Sequence, residues 1–169
     1  MVCRNWIAVP RLIVAVIVAL AVSAWSGAPK AVAQDSGGVE AAVRGFLTAF
    51  NSLDMPRFIA SFAEDATIFH PPSAPPRTYP TRLQGRREIE RTFQVVFNQI
   101  RERSGRTSAP YQNLQPQDVL TQQFEGFAVV TFHLGNETVT GRRTLVLRQV
   151  GLEWKIVHLH ASTFNIDQR

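Results

Sequence analysis

Four consecutive β-strands are predicted in the second half of the chain, and they constrain the fold more than any other feature. The extended segments cover residues 112–124, 127–135, 138–150 and 153–164. Only two residues separate each segment from the next, with Gly126 and Gly151 among them. Strands joined by connections this short pair as antiparallel hairpins. The sequence therefore predicts an antiparallel four-stranded meander against which the rest of the chain packs.

The last of these strands is rich in apolar residues on both faces. Strict alternation places Trp154, Ile156, His158, His160, Ser162 and Phe164 on one face. The other face then carries Lys155, Val157, Leu159, Ala161 and Thr163. An antiparallel strand with one solvated face alternates apolar with polar residues, so both faces of this sheet are predicted to be covered. The helices of the chain can cover one face, and a second copy of the chain is predicted to cover the other, giving a homodimer through the sheet.

Two helices are predicted at the start of the domain. Apolar residues at steps of four and three predict a helix of about four turns. They are Val39, Val43, Phe46, Phe50 and Leu53. Asp54 is expected to cap a short second helix, and Pro56 fits its first turn. The apolar side of this second helix consists of Phe58, Ile59 and Phe62, and the acidic pair at 64–65 ends it.

A short strand, a proline-rich loop and a third helix follow. The strand covers residues 67–70 and stops at Pro71 and Pro72, because proline cannot enter the interior of a sheet. A second short strand is expected over residues 78–83. Gly85 opens the third helix, which ends in the segment 101–105. Its apolar residues are Ile89, Phe93, Val96, Phe97 and Ile100.

The first 33 residues have the pattern of a secretory signal peptide. Basic Arg4 and Arg11 precede an uninterrupted apolar run at 12–22, and Ala31-Val32-Ala33 is a typical cleavage sequence. We therefore predict a signal peptide at 1–33, a linker at 34–38, a domain at 39–164 and a tail at 165–169. The product is expected to be exported, periplasmic or secreted, with no stable membrane span after cleavage. The alternative is an uncleaved anchor, because residues 12–28 are just long enough to span a bilayer.

Charge and cysteine content exclude several functions for the exported part. Three of the 18 basic residues lie in the signal segment, which leaves 15 basic and 13 acidic residues and a net charge of +2. Clustered positive charge is typical of nucleic-acid binding, so no nucleic-acid partner is predicted. The one cysteine, Cys3, also lies in the signal segment. A disulfide, a thiol nucleophile and a cysteine metal site are therefore not expected after cleavage.

The order of these elements, together with five short segments, resembles the nuclear transport factor 2-like superfamily. The likeness is strongest to its SnoaL-like branch and extends to the association domain of the calcium/calmodulin-dependent kinases. The matching segments are residues 50–54, 62–67, 85–89, 141–144 and 154–162. The resemblance covers residues 39–164 and implies an α+β fold, in which a strongly curved antiparallel sheet wraps around a long helix and leaves a cavity at the open end. Members include isomerases, cyclases, dehydratases and non-catalytic binding or assembly modules.

Two regions supply candidate cavity residues. His70 ends the first strand and Tyr79 follows the proline-rich loop, a region that the resemblance places at the mouth of the cone. Sparse polar groups in an apolar pocket orient a ligand, although a surface histidine and a packing tyrosine are the alternative. Arg142 shares its face with Thr140 and Thr144. A charge inside an apolar cone needs an anionic ligand or an acidic partner, the partner here being Glu125 or Glu137.

The histidines allow several interpretations. His158 and His160 leave the same face of a regular strand about 6–7 Å apart. They can be structural groups at a dimer face, cavity residues or metal ligands, but a metal site needs a third and a fourth ligand. No metal is predicted. Ser162 has neither a strained turn nor an acid in register, so a nucleophilic serine is not expected.

Two functions remain open at this point. The first is an exported small-molecule-binding or assembly domain that holds an apolar or mildly acidic ligand without a cofactor. Its candidate ligand-binding residues are His70, Tyr79, His133, Arg142 and His160. The second is a cofactor-independent isomerase, cyclase or dehydratase in which a histidine acts as general base. An isomerase of the ketosteroid type is disfavoured because the long strands carry no matched pair of carboxylates.

Overall fold

The computed structural model describes residues 36–70, 82–135 and 139–165, which form three helices and six strands. The helices are α1 (Ser36–Ser52), α2 (Met55–Ala60) and α3 (Arg86–Ser104). The strands are β1 (Phe62–Phe69), β2 (Arg82–Gln84), β3 (Gln117–Phe124), β4 (Phe127–Gly135), β5 (Val139–Val150) and β6 (Glu153–Asn165). None of the described helices is long and apolar enough to cross a bilayer.

One curved, open sheet contains all six of these strands, in the order β2-β1-β6-β5-β4-β3. Strands β3 to β6 pair antiparallel in chain order, which confirms the predicted meander. Strand β1 pairs parallel with β6 and antiparallel with β2. The helices cover one face, called the inner face here, and the other is the outer face. The predicted α+β class is confirmed.

Caps at Asp54, Gly85 and Gly105 mark the ends of α2 and α3 as expected. The backbone N–H of Arg57 donates to Asp54 Oδ1 at 3.1 Å, which confirms Asp54 as the N-cap of α2. Gly85 precedes α3 with φ of 81°, and Gly105 ends it in the left-handed conformation with φ of 63°. A residue with a Cβ is disfavoured at both positions.

The second helix is shorter than predicted, because strand pairing begins sooner. The Ser61 hydroxyl donates to the carbonyl of Arg57, and α2 ends at Ala60. Phe62 then pairs with Ile156 of β6, so it belongs to β1. The acidic pair Glu64 and Asp65 also lies within β1 and does not end a helix. A spacing of four between Phe58 and Phe62 imitates a helix, and only the pairing with β6 distinguishes the two alternatives.

Two other predicted boundaries differ from the structure. Helix α1 begins at Ser36, so residues 36–38 of the predicted linker are helical. Residues 112–116 are not strand, because this segment docks on the end of α1. The side-chain amide of Asn51 accepts a hydrogen bond from the backbone N–H of Leu114 at 2.9 Å and donates one to the carbonyl of Leu114 at 3.1 Å. The main-chain carbonyl of Asn51 accepts a third from the backbone N–H of Tyr111 at 2.8 Å.

A bulge in β6 reverses the predicted faces of that strand. Val146 pairs with His158, but the next residue, Leu147, pairs with Ile156, which leaves Val157 as an extra residue. One extra residue shifts every later side chain to the opposite face. The prediction that Trp154, Ile156, His158 and His160 share one face is therefore wrong. Trp154 and Ile156 are buried together with Leu159 and Ala161, whereas His158 and His160 lie on the outer face.

The core between the helices and the inner face is built around Phe58. Its ring centroid lies 4.7 to 5.9 Å from those of five other phenylalanines. These are Phe46, Phe50, Phe62, Phe93 and Phe97. They come from α1, β1 and α3, so the cluster joins all three helices to the sheet. Tilted and edge-on contacts at such distances are favourable for aromatic rings.

Candidate functional site

A cavity of about 310 Å³ lies between α1, α3 and the inner face of the sheet. Its wall is mostly apolar and includes Phe46, Phe50, Phe93, Phe132, Leu145 and Leu159. Among the described lining residues the polar side chains are His70, Thr92 and Arg143. A small apolar volume with a few convergent polar groups is typical of a site for a small molecule.

Arg143 contributes the positive charge of this cavity. It pairs with Phe132 of β4 and Ala161 of β6, both of which are buried, so its side chain lies on the inner face. Its Nη1 donates to the carbonyl oxygens of Arg142 at 2.9 Å and Ser162 at 3.2 Å. Within the described ranges no acidic side chain forms an ion pair with it. Burial lowers the pKa of Arg143, because desolvation disfavours the charged guanidinium.

Among the predicted site residues that the structure describes, His70 is the one that lines the cavity. It directly follows the last residue of β1 and is half-buried. Its chain neighbour Phe69 points to the outer face, where the Arg82 guanidinium lies 4.7 Å from the centre of its ring. The predicted partner of His70 at the cavity mouth, Tyr79, lies outside the described residues.

Three other predicted ligand-binding residues lie on the outer face, so their assignment to the cavity is wrong. Arg142 pairs directly with His133 and with Ser162, and paired residues point to the same side of a sheet. Since Arg143 faces inward, Arg142 and His133 face outward. His133 Nδ1 lies 3.5 Å from Asp118 Oδ2. His160 is exposed, and its ring meets that of Phe69 edge-on at 6.3 Å.

The neighbouring outer-face histidine, His158, is held by a contact within the sheet. Its Nδ1 lies 2.7 Å from the hydroxyl of Thr67 on β1. Burial lowers the pKa of His158, and nearby His160 and Arg82 add to that effect. The described residues contain no group of three or more side chains suited to hold a metal ion. His158 and His160 thus lie on the outer face of the sheet and do not line the cavity, so the predicted cavity-lining role is wrong for this pair.

The cavity arginine is Arg143 and not the predicted Arg142, and the sequence carries a signal that distinguishes the two. Arg143 lies at steps of two from Leu145 and Leu147, which are fully buried. Arg142, in contrast, alternates with the polar residues Thr140 and Thr144. A row of leucines indicates the buried face of a strand more reliably than a row of threonines does.

The sequence model of the SnoaL-like domain matches residues 39–167. The chain therefore belongs to the SnoaL-like family, within the nuclear transport factor 2-like superfamily, and the predicted resemblance is confirmed. A search of curated proteins finds no significant match.

Solved structures support the same fold. A protein of unknown function with a cystatin-like fold from Nostoc punctiforme has 14% identity and a TM-score of 0.59, covering 78% of this chain and 92% of that one. A protein of the same superfamily from Streptomyces avermitilis, provisionally named a dehydratase, has 20% identity and a TM-score of 0.60, covering 77% and 96%. A provisionally named calcium/calmodulin-dependent protein kinase type II association domain from Thiobacillus denitrificans has 25% identity and a TM-score of 0.55, covering 74% and 94%. The predicted cone is thereby confirmed as the fold, but such a fold carries many activities.

Proposed function

We propose that this domain binds a small, largely apolar molecule that carries a carboxylate or a similar anionic group. The observation that carries the proposal is the guanidinium of Arg143 on the wall of an apolar cavity, with no acidic partner among the described residues. A charge removed from water is costly unless it is paired. Its two main-chain hydrogen bonds satisfy N–H groups but do not neutralise the charge. An anionic ligand would do both.

The size of the cavity limits the ligand. Its volume of about 310 Å³ lies at the lower end of the range for small-molecule pockets. This suits a bicyclic aromatic ring or a medium-length alkyl chain. The aromatic wall residues Phe46, Phe50, Phe93 and Phe132 favour a flat or flexible apolar body. A matched pair of probes is therefore 2-naphthoic acid and 2-naphthamide, which share one shape and differ in charge.

Substitution of Arg143 by methionine is expected to lower the affinity for 2-naphthoic acid by about 10–100-fold and to change the affinity for 2-naphthamide little. Hydrogen bonds to charged groups contribute about 1.5–3 kcal/mol, which corresponds to this range. Isothermal titration calorimetry of both probes measures it. The matched control is Arg142→Met, which removes the neighbouring charge from the outer face and should leave both affinities unchanged. Equal binding of acid and amide by the unsubstituted protein would contradict the proposal.

One observation favours a second candidate, a cofactor-independent enzyme. His70 and Arg143 line the same cavity, so a base and an oxyanion donor are both present. With 2-acetylnaphthalene, a methyl C–H bond would break, the proton would pass to His70, and the electron pair would move to the carbonyl oxygen beside Arg143. Deuterium from heavy water would then replace that proton. Exchange that is lost in His70→Gln supports this candidate, and no exchange above the buffer rate contradicts it.

We also propose that the domain forms a homodimer through the outer face. The predicted dimer was based on apolar residues on both faces of β6. The bulge weakens that basis, because the outer residues of β6 include the polar His158, His160 and Ser162. Apolar side chains remain on this face, notably Phe69 and Leu120, which are 40% and 58% exposed. Light scattering on residues 34–169 at micromolar concentration should give the mass of a dimer, and the mass of a monomer would end the proposal.

Export is proposed from the amino-terminal pattern alone. Protein recovered from outside the cytoplasm should have the mass of a chain that begins at Gln34. A full-length mass in the membrane fraction would instead support the uncleaved anchor.

A further inference from the structure

We propose that Gly141 is a specificity-determining residue of this site, because its missing side chain leaves the space in which the Arg143 guanidinium lies. This inference rests on the proposed function and identifies the part of the chain that sets a preference for anionic ligands. Gly141 is buried on β5, two residues before Arg143 and on the same inner face.

Space, and not backbone conformation, is what requires a glycine here. A Cβ at position 141 would lie 2.8 Å from Nη1 and 3.1 Å from Nη2 of Arg143. It would also lie 2.9 Å from the carbonyl oxygen of Leu134, on the paired strand. Gly126 and Gly151 have a positive φ, whereas Gly141 does not. A glycine inside a regular strand often marks a close approach by another group, and here that group is the guanidinium.

The space over Gly141 determines how the guanidinium is held. Nη1 reaches the carbonyl oxygens of Arg142 and Ser162 from this position. Arginine has five N–H donors in a rigid fork, so the use of Nη1 by the main chain leaves the Nε and Nη2 edge. Nε and Nη2 together can bind a carboxylate with two parallel hydrogen bonds. The absence of a side chain at Gly141 thus allows Nη1 of Arg143 to be held by main-chain carbonyls while Nε and Nη2 remain to bind an anion.

The test is a comparison of Gly141→Ala with the unsubstituted protein for 2-naphthoic acid and 2-naphthamide. We expect Gly141→Ala to lower the affinity for the acid by about tenfold while the amide changes little, since a displaced guanidinium loses charged hydrogen bonds. In an Arg143→Met background the same substitution should leave the ratio of the two affinities unchanged. Gly45→Ala is the control, since a Cβ there meets nothing within 4 Å.

The outcomes separate this inference from the proposed function. If the unsubstituted protein does not prefer the acid, the proposed function fails and this inference fails with it. If it does prefer the acid, and Gly141→Ala leaves that preference intact or weakens both probes equally, only the role of Gly141 is overturned. If Gly141→Ala fails to fold, the double variant with Arg143→Met identifies the cause. Folding of the double variant would show that the guanidinium is the group that requires a glycine. Failure of the double variant would show that the Leu134 carbonyl requires it and would overturn the role of the guanidinium.

Discussion

Replacement of Phe58 by alanine is expected to lower the free energy of unfolding by about 3–5 kcal/mol. Phe58 is fully buried, and its ring contacts five other phenylalanine rings from α1, β1 and α3. Truncation therefore loses both the transfer of the ring from water and its contacts, and it leaves a void. Urea unfolding followed by the fluorescence of buried Trp154, at one fixed protein concentration, measures the change.

The control for this experiment is Leu152→Ala. Leu152 is 98% exposed in the turn between β5 and β6, so truncation there should cost about 0.5 kcal/mol or less. A loss of about 1 kcal/mol or less in Phe58→Ala would show that the aromatic cluster is not the centre of the core. Because Phe50 and Phe93 contact Phe58 and also line the cavity, weaker binding of both naphthyl probes is expected to accompany the loss of stability.

Substitution of Ala161 by phenylalanine is expected to abolish binding of both probes, with at least about a 100-fold loss of affinity, or ~3 kcal/mol. Ala161 lies on the inner face of β6 opposite Arg143, and its side chain lines the cavity. An aromatic ring there would occupy part of the 310 Å³ that the ligand needs. Phenylalanine is favoured in strands, so the fold should tolerate it with a cost of about 1–3 kcal/mol.

Calorimetry with 2-naphthoic acid and 2-naphthamide checks this result, and circular dichroism checks the fold. The control is Ser162→Phe, which places the same ring on the outer face of the same strand and should leave both affinities unchanged. If Ala161→Phe binds the probes as tightly as the unsubstituted protein, the probes occupy some other surface, and the cavity is not the binding site.

Local chemistry made much of the first half predictable. The Asp54 cap, the proline after it and the two glycines that bound α3 act within a few residues of their own position, so their effects can be recognised without knowledge of the fold. The predicted end of α2 is wrong because it depends on a contact between residues that are far apart in the chain. Phe62 fits a helix by spacing, but its pairing with Ile156, which is remote in the chain, places it in β1.

The candidate site was predictable only in kind. An apolar cone that holds an arginine was expected, and the cavity contains one, but Arg143 and not Arg142 supplies it. His70 lines the cavity as expected, whereas His133 and His160 do not. Adjacent residues of a strand point to opposite faces, so an error of one residue changes a cavity group into a surface group.

The sequence alone determined the order of helices and strands, the meander and the family, because caps, turns and hydrophobic spacing are properties of neighbouring residues. Only the tertiary structure decided which side chains enter the cavity. Pairing of β6 with β5 leaves Val157 as an extra residue and turns His158 and His160 outward. The bulge depends on the register between these two strands, and strand β6 by itself is compatible with either arrangement.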